Sequence, residues 1–143
     1  MSPLPRYRSR TLRQLGAVTE RKRPVRRLTY AAVAKRAKGC CELCDFDVER
    51  AGLRPDPHHA FGRGHLPGIP ASLCESRELV LSICRECHDR IHDGDLALAN
   101  EARGMAILRF CARHELSAHL DALLVLDPVD IMRKLVRILE ARA

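Results

Sequence analysis

The feature that most constrains this chain is a pair of Cys-x-x-Cys segments placed far apart. Cys41 and Cys44 form the first segment, and Cys84 and Cys87 form the second. Each segment can offer two thiolates to a tetrahedral zinc ion at about 2.3 Å, and a closed four-thiolate shell suits structural zinc. The spacing therefore predicts one zinc site with a long insertion between its halves. Buried free thiols are the alternative interpretation, and a shift of one residue would replace Cys41 by Cys40.

The remaining cysteines do not indicate a disulfide framework. The 143 residues include seven Cys, an odd number, and no apolar segment follows the N-terminal charges as it would in a secretory signal. A reducing compartment is therefore expected, with Cys74 and Cys111 as ordinary buried thiols. No stretch approaches the roughly 18 apolar residues of a membrane span, so no membrane association is expected.

Positive charge is concentrated near the N-terminus. Residues 1–39 hold 12 Lys and Arg against the single acid Glu20, whereas residues 40–143 hold 13 bases and 17 acids. A segment of this kind suits a polyanion, most simply nucleic acid, and a solvated tail is the alternative. We assign residues 1–27 to a basic flexible arm.

Local patterns predict an α+β fold. A helix over residues 30–38 is expected after Thr29 as its cap, and strands are expected over residues 56–61 and 78–83. Further helices are predicted over residues 84–92, over residues 95–119 with Gly104 as a weak point, and from Asp127 onward. The last helix carries an apolar stripe at helical spacing, which usually packs on a core: Val129, Met132, Leu135, Val136 and Leu139.

Four histidines form a second signal. His58 and His59 are adjacent, so on a strand their side chains point to opposite faces. His88 and His92 are four residues apart, so on a helix they share one face and can chelate one ion. If the zinc site anchors that helix to the strand, three imidazoles can converge on a second metal.

The order of these motifs resembles a known family. Cys-x-x-Cys, Asp-x-His-His and Cys-x-x-Cys-His-x-x-x-His follow one another within residues 40–93. This order is similar to that of HNH endonucleases of the ββα-metal group, in the small phage and bacterial form with a zinc knuckle. The resemblance implies a nuclease domain over residues 28–94, with residues 95–143 as a helical extension packed on it. It also implies the cytoplasm of a bacterium or of a phage-infected cell.

The resemblance also assigns chemical roles. It implies a metal-dependent DNA endonuclease with a one-metal mechanism that contacts DNA mainly through phosphates. His58, His88 and His92 would be the ligands of a catalytic divalent ion, and His59 would be the general base. Mg²⁺ or Mn²⁺ is the expected ion, although imidazole ligands also suit Zn²⁺ or Ni²⁺.

Neighbouring residues complete the expected site, with one departure from the family. Arg63 is expected to hold a phosphate, and Asp56 to orient a ligating histidine. The middle Asn of the family falls on Leu79, and Glu78 beside it is a candidate substitute. In the family this Asn chiefly holds the His-bearing loop in shape.

The missing Asn leaves a second function open. The chain could instead be a zinc-stabilised module, weakly active or inactive, that binds nucleic acid through phosphates alone. A protein partner on the apolar stripe of the last helix is a third and less favoured hypothesis.

Overall fold

In the part of the chain that the structure describes, helices make up most of the fold and one two-stranded sheet lies among them, which is the expected α+β class. The structure is a computed structural model that describes residues 26–64 and 66–143. In chain order, the elements in these ranges are α1 (residues 26–37), β1 (Asp56–His59), α2 (Ala71–Cys74), β2 (Val80–Ile83), α3 (Arg85–His92), α4 (Leu96–His114), α5 (Ser117–Leu123) and α6 (Pro128–Ala141). None of the described helices has both the length and the apolar character needed to cross a membrane.

The sheet places the second cysteine segment directly beside the histidine strand. β1 and β2 pair antiparallel, with Asp56 opposite Ile83 and His59 opposite Val80. All four residues of β2 are buried, as expected for a short apolar run. Cys84 follows β2 at once and caps α3, because its Sγ accepts a hydrogen bond from the backbone N–H of Cys87.

A tight turn after α1 forms the first cysteine segment. Gly39 has φ +78°, and a Cβ at this position would lie 2.6 Å from the Glu49 side chain, so only glycine fits without a shift. An isolated bridge then pairs Cys40 with Asp47. The backbone N–H of Glu42 donates to the carbonyl of Ser82 at 2.9 Å, which ties this turn to β2.

One core joins the cysteine segments to the C-terminal helices. Buried residues of the turn, of both strands and of α3, α4 and α6 form a single cluster. In the apolar stripe of α6, Met132, Leu135 and Val136 are buried, while Val129 and Leu139 pack against the cluster. The stripe therefore packs on the core of this chain. The sequence favoured this interpretation over a surface that binds a protein partner.

The first helix begins earlier than the sequence predicted. Thr29 lies inside α1, which already includes residues 26 and 27, so Thr29 is not its cap. The last two residues assigned to the basic arm are therefore helical. The other residues of the arm, 1–25, lie outside the described part of the chain.

The helix predicted over residues 95–119 is two helices. α4 continues through Gly104 and ends at His114, where Glu115 takes a left-handed conformation with φ 56°. Leu116, which follows, is fully buried. Turning Leu116 into the core is the physical reason for the break, and α5 starts immediately afterwards.

A buried carboxylate links the first cysteine segment to three other elements. The Glu42 side chain is 6% exposed. It accepts hydrogen bonds from Arg36 Nε at 2.7 Å, from Arg109 Nη2 at 2.8 Å and from the backbone N–H of Ser82 at 2.8 Å. Burial alone would raise the pKa of Glu42, but these donors and the two positive charges hold it below its usual value. α1, α4 and β2 thus meet at one carboxylate.

We expect Glu42→Gln to lower the free energy of unfolding by about 3 kcal/mol. Loss of one charged partner leaves buried charge uncompensated, which typically costs about 3–5 kcal/mol, and the partial exposure of both guanidinium groups favours the lower end. Urea denaturation of the zinc-loaded chain measures the effect. Glu49→Gln, at an exposed site in the same turn, is the matched control and should change stability by less than about 0.5 kcal/mol. Equal stability of the two variants would contradict a structural role for Glu42.

Candidate metal centre and histidine cluster

The two Cys-x-x-Cys segments meet in space. The Sγ atoms of Cys41, Cys44, Cys84 and Cys87 all lie within 4.8 Å of one another, and those of Cys44 and Cys84 are 3.7 Å apart. Four thiolates at about 2.3 Å from one tetrahedral ion lie about 3.8 Å apart, so the set fits zinc. Cys40 is not in this group, which decides between the two alternatives for the first ligand. These four cysteines could hold a metal ion such as zinc.

The thiols differ in their intrinsic acidity. Burial raises the pKa of Cys87, and hydrogen bonds with the neighbouring thiols raise it further. Burial acts in the same direction on Cys41, but backbone hydrogen bonds outweigh it and lower the pKa of that thiol. A bound cation deprotonates the thiols that coordinate it, so all four would act as thiolates with an ion in place.

His58 and His59 point away from each other, as the strand geometry predicts. His58 is 9% exposed, and its ring centroid lies 5.7 Å from that of His88. His59 lies on the other side, where its Nε2 is 3.0 Å from Glu75 Oε2 and 3.5 Å from the Tyr30 hydroxyl. The two neighbouring imidazoles therefore belong to two different environments.

His88 and His92 face each other on α3. Their Nε2 atoms are 3.0 Å apart, close to the separation of two nitrogens that bind one metal at about 2.0–2.1 Å. Nδ1 of His88 lies 3.2 Å from Asp56 Oδ2, which also contacts Arg85. Asp56 is thus placed to orient His88, the arrangement expected from the sequence.

His58, His88 and His92, the three histidines predicted to bind a metal, lie beside one another, but their donor nitrogens do not converge on a common position. In the described residues, the four-cysteine group is the only set of three or more metal-donor side chains whose atoms all lie within 4.8 Å. His88 and His92 already share one direction, and His58 stands beside them at ring-contact distance.

The pKa values of both strand histidines are lowered. Burial is the largest cause at His58, and the nearby rings of His88 and His92 act in the same direction, which brings its pKa to about 4. Burial also lowers the pKa of His59, although the Glu75 carboxylate partly offsets it. His58 is therefore neutral at physiological pH, which is the form of imidazole that binds metals.

No family model, curated protein or solved structure matches this chain.

The other residues singled out in the sequence are placed as follows. Arg63 is exposed, and its charge contributes to the field at His59. Leu79, where the resemblance would place the middle Asn, is fully buried in the core. Glu78 lies within 4 Å of Arg77 and Arg113, and among the described residues it makes no hydrogen bond or ion pair with a histidine. The structure thus gives no support to Glu78 as a substitute for the Asn.

Sequence reasoning missed the residues that surround His59. Glu75 is the residue after α2, in a segment that the sequence describes only as loop, and Tyr30 comes from α1. Arg26 Nε lies 3.5 Å from the second oxygen of Glu75. None of these three residues belongs to a motif, so only the folded chain could reveal them.

Proposed function

We propose that this protein is a metal-dependent DNA endonuclease with His59 as the general base. The observation that carries the proposal is the division of the four histidines between two sides of β1. His58, His88 and His92 lie together on one side, and His59 stands apart on the other side beside a carboxylate. The order of two antiparallel strands followed by a helix, next to four clustered cysteines, agrees with the ββα-metal architecture.

His59, Arg63 and Asp56 have different roles in the proposed hydrolysis of a phosphodiester. Hydrolysis needs a base for the attacking water, and it needs positive charge for the phosphate and the leaving oxygen. The imidazole of His59 takes the proton of water, while Arg63 binds a neighbouring phosphate oxygen through charge-assisted hydrogen bonds. Asp56 holds His88 in orientation through Nδ1.

The histidine cluster is the place for the second metal. His58, His88 and His92 would hold a divalent ion, with Mg²⁺ or Mn²⁺ as the working ion and Zn²⁺ or Ni²⁺ also compatible with imidazole donors. When bound, such an ion supplies Lewis-acid stabilisation of the charge that develops on the phosphate and on the leaving oxygen. The facing Nε2 atoms of His88 and His92 support this assignment.

A plasmid assay tests the proposal. Supercoiled plasmid is incubated with the zinc-loaded chain, first without added metal and then with Mn²⁺ or Mg²⁺, and zinc content is measured before and after. We expect nicked or linear DNA only when the second ion is added. DNA binding without cutting in any ion would contradict the proposal.

That opposite result would favour the binding module. The specific observation on its side is that the three histidines are not closed into a tight donor set. In such a module the cysteine site stabilises the fold, and DNA is held by phosphate contacts alone.

The basic arm is proposed to hold DNA through its phosphates. Deletion of residues 1–25 removes seven Lys and Arg and one acid. Because each phosphate contact steepens the dependence of log affinity on log salt by about 0.9, we expect weaker binding and a flatter salt dependence. Fluorescence anisotropy of a labelled duplex between roughly 50 and 200 mM salt measures both.

The control for this deletion is a measurement that shows whether the shortened chain is still folded. α1 is retained from residue 26, so zinc content and thermal melting should match those of the full chain. Equal affinity and equal salt slope for the two chains at low salt would show that the arm does not bind DNA.

A further inference from the structure

We propose that Glu75 is the positioning residue of His59, and that its carboxylate fixes the imidazole in the tautomer with hydrogen on Nε2. The inference rests on the proposed function for its catalytic consequence, but the contact and the tautomer can be tested without any activity. The inference assigns a specific role to the segment around α2, which belongs to none of the sequence motifs.

The contact is short and sheltered. Nε2 of His59 and Oε2 of Glu75 are 3.0 Å apart, and the two side chains are 6% and 19% exposed. Water competes poorly for a hydrogen bond in such a place, so the pair is held more firmly than it would be at the surface. Among the described residues, the hydrogen bonds of the His59 ring go to Nε2 and none reaches Nδ1.

The chemistry of the partner decides the tautomer. An ionised carboxylate can only accept hydrogen bonds, so the nitrogen facing it must carry the hydrogen. In a neutral imidazole the other nitrogen is then the acceptor. Nδ1 of His59 therefore carries the lone pair, and it is the nitrogen that can take a proton from water.

Glu75 is itself held in place from two sides. It is the C-cap residue of α2, and its backbone N–H bonds to Ala71 O. Its other oxygen, Oε1, lies 3.5 Å from Arg26 Nε of α1. The Tyr30 ring, also on α1, packs edge-on against His59 with ring centroids 6.0 Å apart. The described part of α1 and the end of α2 thus fix the base together.

The tautomer can be read directly by nuclear magnetic resonance. Long-range ¹⁵N–¹H correlation spectra of histidine-labelled, zinc-loaded full-length protein at about pH 8, where ordinary imidazoles are neutral, distinguish the two tautomers. We expect hydrogen on Nε2 of His59 in the wild type. Glu75→Gln should give a mixture, because an amide can accept or donate. Tyr30→Phe, which leaves the carboxylate in place, should keep the wild-type tautomer.

Glu78→Gln is the matched control. Glu78 lies three residues further on and contacts Arg77 and Arg113 instead of His59, so its variant should keep the wild-type spectrum of His59. A wild-type His59 with its hydrogen on Nδ1, or a spectrum unchanged in Glu75→Gln, would overturn the inference.

Cutting kinetics then test the consequence. Loss of the carboxylate that holds a general-base histidine in its tautomer can lower kcat by up to about 10⁴-fold. We expect a drop of at least about 10-fold in kcat for Glu75→Gln, with KM unchanged. Glu78→Gln should cut at the wild-type rate. Full activity of Glu75→Gln would overturn the positioning role. Failure of the wild type to cut would overturn the proposed function instead, and the tautomer of His59 would still decide whether Glu75 positions it.

Discussion

Removal of the metal from the four-cysteine site is expected to unfold residues 40–93. Structural zinc in small domains contributes about 10–16 kcal/mol of apparent binding free energy, which is comparable with the whole stability of a typical domain. Two of the four thiols are in the turn after α1 and two are at the start of α3, so a bound ion would join segments that are distant in sequence. Without it, the thiols at its centre have no common partner.

Hydrogen exchange before and after verified zinc removal measures this effect. We expect protection to be lost over β1, β2 and α3, and to weaken in α4 and α6 because they share the same core. Retention of full protection by the zinc-free chain would contradict a structural role for the ion.

Two serine variants test the structural role of the metal by changing one cysteine at a time. Cys41→Ser removes one donor and should abolish tight zinc binding and lower the melting temperature strongly. Cys40→Ser is the matched control, since Cys40 is the adjacent residue and lies outside the donor group. The opposite pattern would show that Cys40 is the ligand.

The parts of the fold that could be predicted are those that local sequence patterns or metal-ligand spacing determine without tertiary packing. The apolar run of β2, the cap at Asp127 and the stripe of α6 all follow from short-range rules. The end of α4 could not be predicted in this way. The break at Glu115 depends on where the buried Leu116 meets the core, which is a tertiary effect that Gly104 does not signal.

In the candidate site, too, local patterns predicted some features, whereas others depend on the folded chain. The spacings predicted the cysteine group and the opposed directions of His58 and His59. They placed Asp56 near a ligating histidine without indicating that this histidine is His88, which Asp56 contacts in the fold. They gave no indication of Glu75, because its partnership with His59 exists only after the insertion has folded back on β1. The roles of these residues in catalysis stay predictions until cutting is measured.

Substitution of the proposed base should have the largest effect on activity. General-base catalysis contributes about 100- to 10,000-fold, so His59→Ala should cut at least about 100-fold more slowly than the wild type. DNA affinity should be unchanged, because Arg63 and the basic arm are still present. His119→Ala, on α5 and outside the histidine cluster, is the matched control.

The most direct measurement is the rate of plasmid cutting by wild type, His59→Ala and His119→Ala, with Mn²⁺ and without added metal, at equal zinc content and equal melting temperature. The account predicts metal-dependent cutting at equal rates by wild type and His119→Ala, and almost none by His59→Ala. Cutting by His59→Ala at the wild-type rate, or no cutting by the wild type in any ion, would contradict it.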